Sequence, residues 1–146
     1  MSKAFESNID DIGPAFLHGW RYNPKQEFGV LYLSITEECC VRERQRHFNV
    51  GADAFKSLVT GVFRVDVKKC LDLTAAAVLE GIGVNQEELL LEIDYAVPQA
   101  VAREARSAGF EALIAPSAAG RECQSLVVFK DKLNPPSFCI FDSLIR

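Results

Sequence analysis

Excess basic charge, long apolar runs and a signal segment are all missing from this 146-residue chain, and each absence excludes a class of protein. Sixteen Lys and Arg against twenty Asp and Glu give a net charge of -4, so the chain lacks the basic face of a typical nucleic-acid-binding protein. No apolar stretch reaches the about 18 residues that a membrane helix needs, and residues 1–11 contain no apolar signal segment. We therefore expect a cytoplasmic protein that contacts neither nucleic acid nor a membrane.

Histidine, paired cysteines and the common catalytic signatures are scarce too. His18 and His47 are the two histidines, which gives no basis for a multi-histidine metal site, and because nothing points to a carboxylate-held metal we expect none. The five cysteines form no C-x-x-C pair, so we expect them to be reduced and buried. The sequence has no G-x-G-x-x-G, Walker A or G-x-S-x-G motif, which argues against a Rossmann site and a serine-hydrolase triad.

The patterns that are present predict a single domain of mixed secondary structure. The chain length and an apolar content of 49% fit one hydrophobic core. Apolar or alternating runs predict strands, and capping and glycine signals predict at least three helices, so the expected fold class is α+β, or mixed α/β, with a central mixed sheet flanked by helices. The predicted strands are residues 28–33, 61–67, 110–115, 126–129 and 138–141, the last at an edge; the predicted helices run from a Ser34-x-x-Glu37 capping signal to about Phe48, from Thr74 to Gly81 and from Pro98 to Ala108.

The first candidate site residue is Arg21, which lies between Trp20 and Tyr22 just before a turn at Pro24. An arginine in such a segment can clamp an anion, because its planar guanidinium matches a pair of phosphate oxygens. The alternative is a surface arginine that stacks on Trp20 or Tyr22. The sequence pattern leaves both interpretations open.

The second candidate is Glu43, which lies three residues after Cys40 and four before His47 on the predicted helix. These positions share the face expected to point inward, and a carboxylate on an inward face needs a partner. We therefore expect Glu43 either to pair with an arginine such as Arg21 or to be held ready for a substrate cation.

The third candidate is Ser117, which follows a predicted strand in a loop of small residues at 116–120. Small side chains let a ligand approach the backbone closely, and a serine hydroxyl can bond to that ligand. The alternative is a serine that merely forms the turn.

Taken in order, these features resemble the RES domain family, which is named for an arginine, a glutamate and a serine. The resemblance rests on GWRYNPKQEFGVLYLS, on Glu43 and on AGFEALIAPSAAG, with support from LDLT, the helix end at 102–109 and LVVFKDKL. The family's name residues fall on Arg21, Glu43 and Ser117, and its active-site tyrosine falls on Tyr32. On this basis residues 16–146 are the RES domain, and residues 1–15 are an N-terminal segment that we expect to be loose.

The resemblance implies a fold related to the ADP-ribosyltransferase toxins and an enzyme that takes NAD as its substrate, with no further cofactor. The enzyme would cleave the nicotinamide–ribose bond as a glycohydrolase or a phosphorylase. Glu43, Arg21 and Tyr32 would be catalytic, since a carboxylate stabilises the positive ribose and an arginine neutralises the pyrophosphate. Substrate binding would fall to Arg21, Tyr22, Tyr32 and Ser117. The alternatives are a protein ADP-ribosyltransferase and a non-catalytic binding module on the same fold.

The resemblance also implies a protein partner, because many members are toxins paired with a helix-turn-helix antitoxin. Self-association into a homo-oligomer is a further expectation, since apolar residues near the edge strand at 138–141 would otherwise be exposed.

One feature departs from the family pattern. Members usually carry a further arginine well before the segment that holds Arg21, and no arginine precedes Arg21 in this sequence. We expect that Lys25, Arg64 or Arg121 supplies the positive charge, or that NAD binds more weakly.

Overall fold

A computed structural model describes residues 12–48 and 60–145, and these ranges contain both strands and helices, although the two types do not alternate regularly along the chain. In chain order the elements are α1 (Gly13–His18), β1 (Leu31–Ser34), α2 (Glu37–Phe48), β2 (Thr60–Asp66), β3 (Cys70–Asp72), α3 (Ala76–Ile82), α4 (Gln86–Leu89), α5 (Ala96–Ser107), β4 (Ala112–Pro116), β5 (Gln124–Val128), a 3-10 turn (Lys130–Lys132) and β6 (Phe138–Ile145). No helix in these ranges combines the length and the apolar character that crossing a bilayer requires. Of the segment predicted to be loose, residues 1–11 lie outside the described part of the chain.

The strands form two sheets. The larger has the order β1-β5-β4-β3, in which β3 and β4 are parallel and the other neighbours are antiparallel. The smaller is the antiparallel pair of β2 and β6. The predicted mixed sheet is therefore confirmed. Because β1 and β4 both run antiparallel to β5, their C-terminal ends lie at the same edge of the larger sheet.

The hydrophobic core covers one face of the larger sheet. Leu113 of β4 and Val127 of β5 are opposite each other in the strand register and are fully buried. They belong to a cluster that includes Leu79 of α3, Leu89 of α4 and Ala102 of α5, so these three helices cover the same face. Burying a leucine or valine side chain stabilises the folded state by about 1.5–3 kcal/mol. The core thus gives a firm scaffold for the loops that leave the sheet edge.

Glu111, just before β4, connects distant parts of the chain. Its buried carboxylate accepts backbone N–H groups and one hydroxyl: Lys68 at 3.0 Å, Lys69 at 3.1 Å, Asn134 at 2.7 Å and the Ser137 side chain at 2.8 Å. The bonds from Asn134 and Ser137 contribute most to lowering the pKa of Glu111 to about 2. Glu111 therefore ties the link between β2 and β3 to the turn that precedes β6.

The start of α2 differs from the prediction. Ser34 is the last residue of β1, so it cannot cap the helix. The hydroxyl oxygen of Thr36 instead accepts the N–H of Cys39 at 3.1 Å, which is the usual geometry of a helix N-cap. The helix ends at Phe48, as predicted.

Both ends of α3 also differ from the prediction. Thr74 bonds to the carboxylate of Asp72 through its N–H at 2.9 Å and its hydroxyl at 2.5 Å, and the helix begins two residues later without a side-chain cap. The helix runs through Gly81 and ends at Gly83, whose φ of 72° is the left-handed conformation that glycine adopts without steric cost.

The remaining elements are confirmed with shifted ends. Pro98 is the third residue of α5 rather than its first, and Gly109 follows the helix as expected. The first four predicted strands begin or end a few residues away from the observed ones, while β6 continues to Ile145. Among the described strands β6 pairs with β2 alone, so it is an edge strand as predicted.

Candidate functional site

Glu43 and Ser117 are brought together where β1 and β4 end. Glu43 is half-buried on α2, which follows β1, and Ser117 is the first residue after β4. The Ser117 hydroxyl donates a hydrogen bond of 2.5 Å to the Glu43 carboxylate and accepts the N–H of Ala119 at 3.1 Å. Two of the three RES-type residues therefore meet across 74 positions of sequence.

Two further contacts fix the loop of residues 117–123 to α2. Cys39 and Cys123 form a disulfide, and the guanidinium of Arg42 pairs with Glu122 while also bonding to Glu38 at 2.7 Å. The prediction that all five cysteines are reduced was wrong for this pair. Spacing gave no sign of it, because the two cysteines are 84 residues apart and the fold alone makes them neighbours. Among the described residues, Cys40, Cys70 and Cys139 take part in no disulfide.

Arg21 occupies a tight turn that Gly19 opens with a φ of 73°. A Cβ at position 19 would lie 2.9 Å from the backbone nitrogen of Lys25, so the turn needs glycine there. Arg21 Nη1 donates to the carbonyls of Leu89 at 2.9 Å and Leu91 at 2.5 Å. Both carbonyls bond to the same nitrogen. The Nε and Nη2 groups make no hydrogen bond with the side chains and backbone that the structure describes.

The partners of Arg21 are not those the sequence suggested. Its guanidinium lies 4.8 Å from the centre of the Tyr95 ring, whereas the expected stacking partners were Trp20 and Tyr22. It also does not pair with Glu43, which bonds to Ser117. Tyr95 gave no sequence signal, since it lies 74 residues further along the chain.

Tyr32 connects β1 to the turn that holds Arg21. Its hydroxyl accepts the backbone N–H of Tyr22 at 2.9 Å and donates to the side-chain oxygen of Asn23 at 2.6 Å. Asn23 is fully buried and donates in turn to the carbonyls of Ala15 at 2.6 Å and Phe28 at 3.3 Å. Burial raises the pKa of Tyr32 well above its usual value, so the phenol stays neutral at physiological pH.

Tyr22 and Asn23 show what sequence reasoning found and missed in this turn. Tyr22 packs in the core, and its buried hydroxyl has no hydrogen-bond partner in the part of the chain that the structure describes. Burial also raises its pKa. Asn23 was not singled out, although an asparagine two residues after the arginine was the available signal.

Two cavities accompany these residues. The first, of about 470 Å³, is bounded by the 117–123 loop and the start of α4; its lining includes Thr74, Gln86, Leu90, Ser117, Arg121 and Gln124. The second, of about 540 Å³, lies between the two sheets and includes Tyr32. Both volumes fall within the range of small-molecule sites.

The predicted site residues thus form two groups rather than one. Glu43 and Ser117 make the first group, and the turn that carries Arg21, with Tyr22 and Tyr32, makes the second. No hydrogen bond joins the two groups directly. The first cavity is lined by Ser117 of the first group and by Leu90, and the carbonyls on either side of Leu90 are those that hold Arg21.

None of the described His, Cys, Asp and Glu residues gather in the groups of three or more that a metal ion would need. Lys25 and Arg64, two of the three residues considered as a further positive contact, line neither cavity, whereas Arg121 lines the first.

Known proteins resemble this chain in sequence and in fold. A family model described as RES domain matches residues 3–137. A Mycobacterium tuberculosis (strain ATCC 25618 / H37Rv) protein named "Probable NAD(+) phosphorylase" is 41% identical over 111 residues, which are 75% of this chain and 52% of that protein. A chain in the crystal structure of the M. tuberculosis MbcT–MbcA toxin–antitoxin complex aligns with a TM-score of 0.73 and 23% identity, over 92% of this chain and 74% of that one. The predicted fold is thereby confirmed, and the chain spans about half the length of the phosphorylase relative.

Proposed function

Because this chain belongs to the RES domain family, we propose that it consumes NAD by breaking the nicotinamide–ribose bond and passing the ribosyl group to phosphate. The relative named as an NAD(+) phosphorylase, 41% identical over 111 residues, favours phosphate over water as the acceptor. The observation that carries the proposal is the hydrogen bond between Ser117 and Glu43 beside a cavity of about 470 Å³.

The chemistry needs a carboxylate at this position. When the bond between the ribose C1 and the nicotinamide nitrogen breaks, its electron pair leaves with the neutral nicotinamide, and the ribose carbon develops positive charge. A phosphate oxygen then forms the new bond to C1. The carboxylate of Glu43 stabilises the positive charge at the moment it forms, which is the role of carboxylates in glycoside cleavage generally. The Ser117 hydroxyl holds this carboxylate in place at 2.5 Å.

Arg21 and Tyr32 supply binding rather than bond breaking in this proposal. The Nε and Nη2 groups of Arg21 are left to donate to a pyrophosphate or ribose oxygen, while Nη1 and the Tyr95 ring fix the guanidinium. The hydroxyl of Tyr32 is engaged with Asn23, so Tyr32 offers its ring, against which the nicotinamide end packs. NAD is the substrate, and no resident cofactor takes part.

The product of the reaction tests this proposal. The purified chain is incubated with NAD with and without inorganic phosphate, and ³¹P NMR with chromatography identifies the products. Phosphorolysis yields nicotinamide and ADP-ribose 1″-phosphate, and the rate rises with phosphate concentration. ADP-ribose formed at a phosphate-independent rate would show that the reaction is hydrolysis instead of phosphorolysis. Protein that carries ADP-ribose would indicate ADP-ribosyl transfer. A folded chain that releases no nicotinamide would refute NAD cleavage.

We extend the proposal to a toxin that acts in the cytoplasm and is restrained by an antitoxin protein of the helix-turn-helix type. The likeness in fold to a chain of a toxin–antitoxin complex supports a protein partner. Ile140, Phe141 and Ile145 on the edge strand β6 are exposed and offer an apolar surface for such a partner or for a second copy of this chain. Growth arrest on expression, relieved by co-expression of a neighbouring gene product that co-purifies with the chain, is the expected result. Expression without any growth defect would contradict it.

A further inference from the structure

Arg121 has the position and the freedom to bind an anion in the first cavity. It is exposed, lines the cavity, and makes no ion pair or side-chain hydrogen bond with any side chain that the structure describes in 12–45 and 60–145. The adjacent Glu122 is not available to it as a close partner, because its carboxylate is paired with Arg42. An arginine that lines a cavity and pairs with no carboxylate can donate hydrogen bonds from its guanidinium to a bound anion.

The remaining lining of the cavity suits an anion as well. Gln86 and Gln124 carry neutral side-chain amides that can donate hydrogen bonds, and no carboxylate belongs to the lining. Two carboxylates accept hydrogen bonds from lining residues: Glu43 accepts the Ser117 hydroxyl, and Asp72 accepts the Thr74 hydroxyl. The cavity therefore combines one uncompensated positive charge with neutral donors.

The loop that carries Arg121 is closed by a disulfide and by backbone hydrogen bonds. Cys123 is bonded to Cys39, and within the loop the N–H of Ser117 donates to the carbonyl of Cys123 at 3.2 Å while the N–H of Cys123 donates to Gly120 at 3.1 Å. A fixed backbone lowers the entropy lost when the side chain binds a ligand. Arg121 is also only four residues from Ser117, so an anion that it binds lies on the same wall as the group that holds Glu43.

We propose that Arg121 is the positive centre of a phosphate-binding subsite in this cavity, next to the Ser117–Glu43 pair. The inference rests on the proposed function, because either inorganic phosphate or the pyrophosphate of NAD would present the same chemistry there. A guanidinium donates two parallel hydrogen bonds to phosphate oxygens, and the side-chain amides of Gln86 and Gln124 complete the contacts.

Arg121→Gln tests the subsite, with Arg64→Gln as the matched control because Arg64 is exposed on β2 and lines neither cavity. Titration calorimetry measures the binding of inorganic phosphate, and steady-state kinetics measure the KM for phosphate and the KM for NAD separately. Loss of one charged contact should weaken the affected ligand by about tenfold to a hundredfold. A higher KM for phosphate with weaker calorimetric binding identifies free phosphate as the ligand, and a higher KM for NAD identifies the pyrophosphate. Arg121→Lys should bind more tightly than Arg121→Gln and more weakly than the wild type, since lysine keeps the positive charge but lacks the planar pair of N–H donors.

The outcomes separate this inference from the proposed function. Wild-type phosphate binding and wild-type KM values for both ligands in Arg121→Gln would overturn the subsite, even if NAD cleavage stands. Phosphate binding that depends on Arg121, in a chain that releases no nicotinamide, would support the subsite and refute the proposed function. Equal losses in Arg121→Gln and Arg64→Gln would overturn the subsite too, because they would reflect total charge rather than position.

Discussion

The Tyr32 hydroxyl joins β1 to the turn that presents Arg21. Tyr32→Phe leaves the N–H of Tyr22 and the side-chain oxygen of Asn23 without their partner, and both lie in a buried region. An unsatisfied buried polar group costs about 1–3 kcal/mol, so we expect the free energy of unfolding to fall by roughly that amount. Urea unfolding followed by fluorescence measures the difference.

Tyr95→Phe is the matched control for this substitution. The Tyr95 ring lies under Arg21, and no hydrogen bond of its hydroxyl is found among the described residues, so phenylalanine keeps the contact. The control should unfold within about 0.5 kcal/mol of the wild type. Equal stability of the Tyr32→Phe chain and the control would show that the hydroxyl bridge contributes nothing.

Single residues also show how far sequence reasoning reached into the site. Arg21, Glu43 and Ser117 were identified because their order and surroundings resemble a family, and the structure joins two of them directly. The contacts of Arg21 with Leu89 and Leu91 could not be foreseen, because they use backbone carbonyls that carry no residue-specific signal. Contacts between distant segments depend on the path of the chain, which local patterns do not encode.

The disulfide that attaches the 117–123 loop to α2 should contribute to the stability of the fold. Replacing Cys39 and Cys123 by serine removes a crosslink between residues 84 positions apart, which should lower the free energy of unfolding by about 2–4 kcal/mol. Cys40→Ser is the control, because Cys40 is the neighbouring free thiol on the same helix. Denaturation under non-reducing conditions measures both. Reductant should lower the stability of the wild type to that of the double variant and leave the double variant unchanged.

A thiol count gives the decisive check on this crosslink. The unfolded, unreduced chain should show three reactive thiols, those of Cys40, Cys70 and Cys139. Five reactive thiols would contradict the disulfide and would restore the expectation from sequence that all the cysteines are reduced.

Elements were predicted better than their boundaries. Apolar runs and alternation located five of the six described strands, because burial on one face imposes that pattern on a strand, but the three-residue β3 was not predicted as a strand of its own. The predicted helix ends were wrong where two candidate residues lie close together in the sequence. Ser34 and Thr36 both precede α2, and because Ser34 pairs with Ser125 in the sheet, Thr36 is the residue that caps the helix. Gly81 and Gly83 were likewise both candidates for the end of α3, and Gly83 is the one that adopts the left-handed backbone conformation after the helix.

At the scale of the whole molecule, Glu111 should govern part of the response to acid. Its folded pKa of about 2 lies below the ordinary value of 4.5, so its ionised form stabilises the fold above about pH 4.5. This contribution is lost progressively as the pH falls from 4.5 through 2. Glu111→Gln should be less stable than the wild type at pH 7, and the difference should shrink toward pH 2.

Glu104→Gln is the control for the acid response, since Glu104 lies exposed on α5. Thermal unfolding of the three chains between pH 2 and pH 7 measures the effect. A difference between the wild type and Glu111→Gln that stays constant with pH would mean that the carboxylate contributes no ionisation-dependent stability.

The kcat of Glu43→Gln for nicotinamide release measures what the Glu43 carboxylate contributes to the proposed reaction. Glutamine keeps the size of the side chain and a hydrogen-bond acceptor for Ser117 but removes the negative charge that we propose stabilises the developing positive ribose. We expect kcat to fall by about 100-fold to 1000-fold, the effect of removing one preorganised electrostatic group, while the unfolding midpoint stays close to that of the wild type and Glu104→Gln remains fully active. A folded Glu43→Gln chain that turns over NAD at the wild-type rate would refute this role of Glu43.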